Sequence, residues 1–509
     1  MASSSEIYLQ LVELSGHMIA EGTWSATLRA NCLYQCAHLA KPGHQCRLLQ
    51  GSWEITPITP LAALDLSLGT CIQVIWLSSS ASYIHSQRQA FAAIKADGSV
   101  VTWGGGGGGA SCGGDSSAVA PLLRAGVVKV CGSSKAFAAI KVDGSVVTWG
   151  NAGFGGDSSA VAQLLTEGVV QVCGSSKAFA AIKADGNVVT WGNGGCGGDS
   201  SMVAQLLTEG VVQVCGSRKA FAAIKADGSV VTWGNAGCGG DSSAVAPLLT
   251  EGVVQVCASL KAFAAIKADG SVVTWGSADY AGDSSAVAPL LREGVVKVCG
   301  SSHAFVAIKA DGSVVTWGDA GCGGDSSAVA PFLTEGVVQV CESHFSFAAI
   351  KADGSVVTWG DAGCGGDSSA VAPFLTEGFV QVCGSSKAFA AITVDGSVVT
   401  WGDAGFGGDS SAVAQLLTEG VVQVCGSSQA FAAIKADRSV VTWGSATCGG
   451  DSSAVAPLLR DGVVQVCSSL FAFAAIKVDG SVVTWGSAQT GGDSSAVAPF
   501  LMEGVVQVC

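Results

Sequence analysis

The Trp of "VVTWG" falls at positions 103, 149, 191, 233, 275, 317, 359, 401, 443 and 485, so every interval is 42 residues except the first, which is 46. Self-similarity at such a period limits the fold more than any other feature of the chain. A unit of about 40 residues cannot bury an apolar face alone, so ten in a row must stack on one another. The four extra residues are a glycine expansion, "WGGGGGGASCGG". No Gly-Lys-Ser/Thr follows it and no helical pattern opens after it, so a phosphate loop is not indicated.

Residues 211–252, "VVQVCGSRKAFAAIKADGSVVTWGNAGCGGDSSAVAPLLTEG", show what each copy can form. "VVQVC" is a short strand rich in β-branched residues. "AFAAIKADGSVVTW" is two strands joined by Asp-Gly, a two-residue turn whose positive φ angles match hairpin twist. Each copy therefore carries at least three strands. The Asp of "GGDSSAV" is placed to accept backbone N–H groups two or three residues on, a helix-start or Asx-turn signal. The residue before "LL" or "FL" is Pro in seven copies and Gln in three (Gln163, Gln205, Gln415), so its N–H is dispensable. One short helical turn and then an extended piece is expected, with no long helix. Such units stack as β-propellers or β-solenoids.

The ends of the array bear on that choice. The first hairpin, Phe91 to Trp103, has no clear "VVQVC" before it, while Val505 to Cys509 is such a strand with no hairpin after it. The orphan strand can complete the first blade and close a ring. Ten blades exceed the usual four to eight, so an open spiral, or a sequence cut short at its C-terminus, stays open as the alternative.

A 49% hydrophobic and 13% charged chain argues for a folded protein. Net charge is −14 with no run of Lys or Arg, which excludes an electrostatic footprint for nucleic acid or anionic membrane at this level. The N-terminus lacks a leader pattern and no apolar run approaches a membrane span, so a cytoplasmic or nuclear location is expected. Ten of the twenty cysteines recur in "VVQVC", "VVKVC" or the near copy "FVQVC" and read as small buried apolar residues. Six more (Cys112, Cys196, Cys238, Cys322, Cys364, Cys448) share a loop position with Phe154, Phe406, Tyr280 and Thr490, a tolerance that argues against metal ligation.

The pattern "DGSVVTWG…GGDSSAVAPLLTEGVVQVCGSSKAFAAIKADG" resembles the regulator of chromosome condensation repeat, with its "DG-x-V-x-x-WG", Gly-Asp loop, Pro, "VVxVxxG" and "HxxAL". Its length is nearer the compact blades of β-lactamase inhibitor protein II, of the same superfamily. The likeness covers residues 86 to 509. It departs in lacking "GQLG", and the usual His of "HxxAL" is Lys, Gln, His or Phe here. The resemblance permits several functions. The wedge of the nucleotide-exchange member, the "GWRHT" of the plant UV-B receptor and the HECT domain of the large ubiquitin ligases are all missing from this sequence.

Residues 6 to 78 read differently. "EIYLQLVELSG" and "HMIAEGTW" suggest a hairpin, and "SATLRANCLYQCAHLA" a helix capped by Ser25. "RLLQGSWEITPITPLAALDLSLGTCIQVIWL" is similar to the second half of ubiquitin: strand, short strand, helix-like turn, final strand. This implies a ubiquitin-like β-grasp domain over 1–80, a linker over 81–89 and ten propeller repeats over 90–509. Without a di-glycine end, the domain is expected to dock and not to be conjugated. Cys32, Cys36, His38, His44 and Cys46 have metal-like composition, but Cys-x3-Cys without a second matching pair is weak beside paired CxxC motifs. No cofactor or metal is expected.

Serine-nucleophile chemistry at Ser158 and its equivalents would need a His base in each copy, and only His303 and His344 lie inside the main array. No catalytic residue is therefore assigned and the chain is not expected to be an enzyme. The copies differ mainly in two loops, after the strand Cys and after Trp-Gly. In a propeller such loops gather on the faces, where partners bind. Arg218, Leu260, Tyr280, His303, His344, Phe345 and Phe471 are thus the candidate contact residues, against the plainer reading of drift at exposed tips. Arg438 replaces the Gly of one Asp-Gly turn and should strain it by about 1 kcal/mol.

The fold class expected is mainly β: about ten short three- to four-stranded blades, ring or open spiral, after a small α+β ubiquitin-like domain. The function expected is a non-catalytic protein–protein interaction scaffold, with a link to the ubiquitin pathway. The alternatives are an exchange regulator of a small GTPase and a substrate-recruiting part of a ubiquitin ligase. A protein partner is expected, and neither nucleic acid nor membrane.

Overall fold

Each copy of the repeat folds into three antiparallel strands in a computed structural model that describes residues 6–13, 18–28, 30, 32–33, 36–37, 45–50, 53–55, 59, 61–77, 88–105 and 112–509. In the third copy these are Val169–Gly174, Ala178–Lys183 and Val188–Gly192, in that order across the sheet. From the second blade to the tenth the first strands of successive blades lie closer together than the third strands, so the first strand is the inner one and the third the outer. Ten such sheets follow, which fits a repeat β-propeller.

Two-residue periodicity explains the packing. Along "AFAAIK" successive side chains point to opposite faces, so Ala178, Ala180 and Ile182 face the next blade while Phe179 and Ala181 face the previous one. The small alanines leave room for the large residues of the neighbour: Phe221 and Trp233 pack onto them with Val211, Val214 and Ala223. The core is thus a series of cores, one between each pair of blades, and no blade has one of its own.

The last strand, Val505–Val508, pairs with Ala90–Lys95, and Val100–Gly104 completes that sheet. Phe91, Ala93 and Trp103 pack on Ala472, Ala474 and Ile476 of the tenth blade, while Ala90, Ala92 and Ile94 pack on Phe137 and Trp149 of the second. Each blade is an open sheet, but the order of contacts between blades returns to its start.

Three expectations need correction. The hairpin is not a two-residue turn with positive φ at both central residues. In the second blade Gly144 N–H donates to Lys141 O (2.8 Å) and Lys141 N–H to Ser145 O (2.9 Å), a three-residue loop in which only Gly144 is left-handed, at φ 74°. Asp143 Oδ1 accepts Ser145 N–H at 2.9 Å, which holds the Asp in an ordinary conformation. Next, among the described residues nine of the ten repeats have two 3-10 segments, as at Ala236–Cys238 and Ser243–Leu248, and Pro247 sits inside the second and not in an extended piece. Pro247 is the fifth of the six residues of that segment, and Gln takes the same place in three copies. Finally, nine of the ten inner-strand cysteines are half-buried and only Cys299 is buried. They act as edge filler against the next blade's core, as Cys173 does.

The strained turn is where the sequence puts it: Arg438 has φ 66°. At the equivalent Gly144 an added Cβ would lie 2.5 Å from the backbone N of Gly168 in the next blade, so close approach as well as handedness favours glycine there.

In the N-terminal part, β1 (Glu6–Glu13), β2 (Met18–Ser25), β3 (Gln45–Gln50), β4 (Trp53–Ile55) and β5 (Cys71–Leu77) form one sheet in the order β2-β1-β5-β3-β4. β1 and β5 run parallel, and the other pairs antiparallel. Leu9, Leu11, Leu48, Ile72 and Val74 build its core with Ala30, Leu33 and Ala37, of which Leu33 and Ala37 lie on helical turns. Cys32 and Cys36 are half-buried beside that core, and burial pushes both thiols up. His38 and His44 lie outside the described residues. Among the described residues no helix is long and apolar enough to cross a membrane.

Candidate functional site

The two variable loops meet at one end of each blade. Asn151 N–H, just after Trp-Gly, donates to Lys135 O at 3.0 Å, and Ser133 Oγ donates to Phe154 O at 2.8 Å. The same stitch recurs from Ser175 to Cys196 O and from Ser217 to Cys238 O, both at 2.9 Å. The Asp-Gly hairpins occupy the other end of the same strands, so variation is concentrated on one face.

Backbone bonds between blades fix the inner edge of this face. Ser134, Ser176, Arg218 and Leu260 each donate N–H to the carbonyl of the equivalent residue one blade on, the last to Ser302. A second run joins His344, Ser386, Ser428 and Leu470 in the same way and ends on Arg88 O at 2.9 Å. Because the backbone does this, the side chain is free to vary. Arg218 is exposed, Leu260 buried and His344 half-buried at equivalent places.

Trp and Phe hold each loop onto its neighbour. Trp149 Nε1 donates to Gly113 O of the preceding copy at 3.0 Å, and Trp191 does the same to Gly155 O. The Trp stacks on the Phe of its own middle strand, with Phe179 and Trp191 5.4 Å apart. The glycine receiving this bond is left-handed, and a Cβ at Gly155 would lie 2.5 Å from the Phe179 ring. In one copy Ala281 stands there at φ 69°, and the Phe305–Trp317 planes open to 30°, the widest of the ten pairs.

Four of the seven candidate residues come together beside that irregular copy. Tyr280 stacks on His303 with centroids 4.3 Å apart, His303 lies 5.7 Å from Phe345, and His344 meets Phe345 edge-on at 5.9 Å. Lys261 Nζ sits 4.1 Å above the Tyr280 ring. Burial lowers the pKa of both imidazoles, opposed at His303 by the Asp319 carboxylate and aided by Lys261. His303 Nδ1 is buried with no hydrogen-bond partner among the described residues. Next to the stack, burial and then Asp319 push the Cys322 thiol up to about 12, which makes it a poor nucleophile at neutral pH. Leu260 adjoins the cluster through its bond to Ser302. Arg218 and Phe471 lie on the same face in the fourth and tenth blades, apart from it.

The lysines of this face are missing from the candidates read off the sequence. Lys135 and Lys177 flank the Phe154 ring at 5.5 and 4.9 Å, and Lys387 lies 5.0 Å from Phe406. Their signal was present in the Lys that precedes "AF" in five of the ten copies.

Ser158 Oγ is hydrogen-bonded to Thr148 Oγ1 at 2.9 Å, and Asp157 Oδ1 accepts Ser159 N–H at 2.8 Å. Both side chains are thus committed to the turn. Among the described residues no group of three or more His, Cys, Asp or Glu side chains is placed to hold a metal ion.

No protein-family model matches the chain, and no curated protein does. Among solved structures it is similar to yeast RCC1 (Prp20) in a complex with Kap60, at 14% identity over 50% of this chain and 73% of that one, with a TM-score of 0.32. It is similar to human WBSCR16 at 17% identity over 66% and 95%, with a TM-score of 0.32. It is also similar to the computationally designed protein Ika8 at 12% identity over 63% and 96%, with a TM-score of 0.27. The architecture described above rests on the strand order of the ten sheets.

Proposed function

We propose that the chain is a non-catalytic interaction scaffold that binds a protein through the variable-loop face of its repeats. The observation that carries this reading is the convergence of Tyr280, His303, His344 and Phe345 into one partly exposed stack on a framework of backbone bonds. Aromatic anchors fixed on a rigid support are the residue types on which protein interfaces concentrate binding energy. The commitment of the repeated Ser and Asp side chains to turns supports the absence of catalysis. We read the N-terminal sheet as a ubiquitin-like β-grasp module, a reading supported by its order β2-β1-β5-β3-β4 with a parallel central pair. That module favours a recruiting role in the ubiquitin pathway over nucleotide exchange.

A photo-crosslinking residue at position 345 of the full chain, with a control at Val142 on a hairpin of the opposite face, tests this in extracts. A discrete protein adduct from position 345 that Tyr280→Ala abolishes is expected. Equal adducts from both positions, or none from 345, would overturn the reading.

A further inference from the structure

The loops of the variable face differ in charge as well as in shape. From the inner-strand Cys to the middle strand, and over the six residues after Trp-Gly, the second to fifth blades carry Lys135, Lys177, Arg218, Lys219 and Lys261. Their one acid in these segments is Asp279; Asn151, Asn193, Asn235 and Ser277 occupy the first position after Trp-Gly. Over the sixth to eighth blades that position is Asp319, Asp361 and Asp403, Glu342 joins them, and Lys387 is the one Lys or Arg. The Asp of "GGDSS" is common to every copy and drops out of the comparison. Within a chain of net charge −14, one arc of this face is therefore the more basic and the next the more acidic.

The basic arc is not neutralised from within. The ion pair among the described residues is Lys477–Asp461, on another part of the chain, and none of the five cations takes part in one. Lys135, Lys177 and Lys261 lie instead against aromatic rings, which hold an ammonium group without cancelling its charge. The Tyr280–His303–Phe345 stack spans the fifth to seventh blades, the seam between the two arcs. Burial inclines both imidazoles to the neutral form, and the rings at the seam are stacked on one another.

We propose that this face docks a protein segment of matching polarity: a Glu/Asp-rich stretch on the basic arc, an aromatic side chain at the seam, and Lys or Arg on the acidic arc. The proposal rests on the scaffold reading and adds to it the chemistry and direction of the partner. Opposed charges on two arcs fix the orientation of a bound segment and penalise the reverse one. A nucleic acid, which is uniformly negative, gains on the first arc and is repelled by Asp319, Glu342, Asp361 and Asp403 on the second.

The test is fluorescence anisotropy with the full chain and labelled peptides. One peptide has a run of Glu, a central Trp and a run of Lys, and another has the same composition with the charges alternating. The block peptide should bind at least about tenfold more tightly, with an affinity that falls as salt rises. Joint Lys135→Glu, Lys177→Glu, Lys219→Glu and Lys261→Glu should abolish the preference, and the four Lys→Gln changes should weaken it. Lys141→Glu, Lys183→Glu, Lys225→Glu and Lys267→Glu, at the hairpin end of the same strands, should leave it intact. Equal affinity for the two peptides, equal sensitivity to both sets of changes, or tighter binding of oligothymidine than of the block peptide would overturn the proposal. A crosslinked partner at position 345 without any block preference would leave the scaffold standing and remove its charge polarity.

Discussion

Deleting Val505–Cys509 should unlock the first blade, whose hairpin lies some 400 residues earlier in the chain. Val505 and Val508 are 3% and 5% exposed, and burying a valine contributes about 1.5–3 kcal/mol. Ala92 and Cys509 exchange two backbone bonds at 3.0 and 2.9 Å, and Val505 N–H donates to Gly480 O at 2.9 Å. Each such bond is worth about 1 kcal/mol net. The loss is therefore about 6–9 kcal/mol, comparable to the whole stability of an ordinary domain. Since each repeat contacts only its neighbours, the effect should stay local. Hydrogen exchange followed by mass spectrometry should show protection lost over residues 90–104 and reduced in the second and tenth blades, with the fifth unchanged. Val506→Asp, at a position 58% exposed, should do little, whereas Val508→Asp should reproduce the deletion. An open spiral makes a different prediction: the hairpin at 90–104 would keep its protection when the last strand is removed, and that result would refute the cyclic order of contacts.

Arg438→Gly should stabilise the ninth blade by about 0.5–1 kcal/mol, because relief of a left-handed non-glycine residue exceeds the entropy glycine loses on folding; an unchanged denaturation midpoint would contradict this. Ala281→Gly should act in the same direction, while Gly155→Ala, placing a methyl 2.5 Å from the Phe179 ring, should cost about 2–4 kcal/mol in the same assay. The lowered pKa of His303 makes the unfolded chain bind the extra proton, so its contribution is complete above the unfolded pKa of about 6.5 and is lost as pH falls toward the folded value. His303→Phe, the residue found at the same place in the seventh blade, should flatten the urea midpoint between neutral pH and about pH 5. Ser N–H and hydroxyl groups hold the Asp97, Asp143, Asp227 and Asp269 carboxyls below their usual range, so the hairpins should lose stability only as pH falls below about 4, and circular dichroism should locate that transition.

Much of this was legible because it is local. Alternating apolar residues in "AFAAIK" and an Asp two residues before a Ser N–H each act within a few residues, and the structure has the expected strands and Asx turn. The positive φ of Arg438 followed from its place in a run of Asp-Gly turns. The hairpin type was missed since Asp-Gly serves both loop lengths, and the choice depends on which residues pair last in the ladder. The half-burial of Cys173 and its equivalents was missed for a related reason: a strand pattern shows which side a residue takes, and not whether the next blade covers it fully.

The candidate site divides along the same line. Variation between copies marked Tyr280, His303, His344 and Phe345 one at a time. Nothing in the sequence says that a loop after Trp-Gly in one copy touches the residue before the middle strand of the next copy. That contact exists because Trp and Phe press each blade onto a left-handed residue of its predecessor, here Ala281 and Gly323, which fixes the offset between blades and stacks residues 280, 303 and 345. By itself the sequence determined the unit, its strands and where its copies differ, since these follow from periodicity and short-range backbone chemistry. Only the tertiary structure decided that the last strand joins the first hairpin and that scattered differences form one stack between a basic and an acidic arc. Both depend on how rigid units pack, and packing joins residues that sequence distance keeps apart.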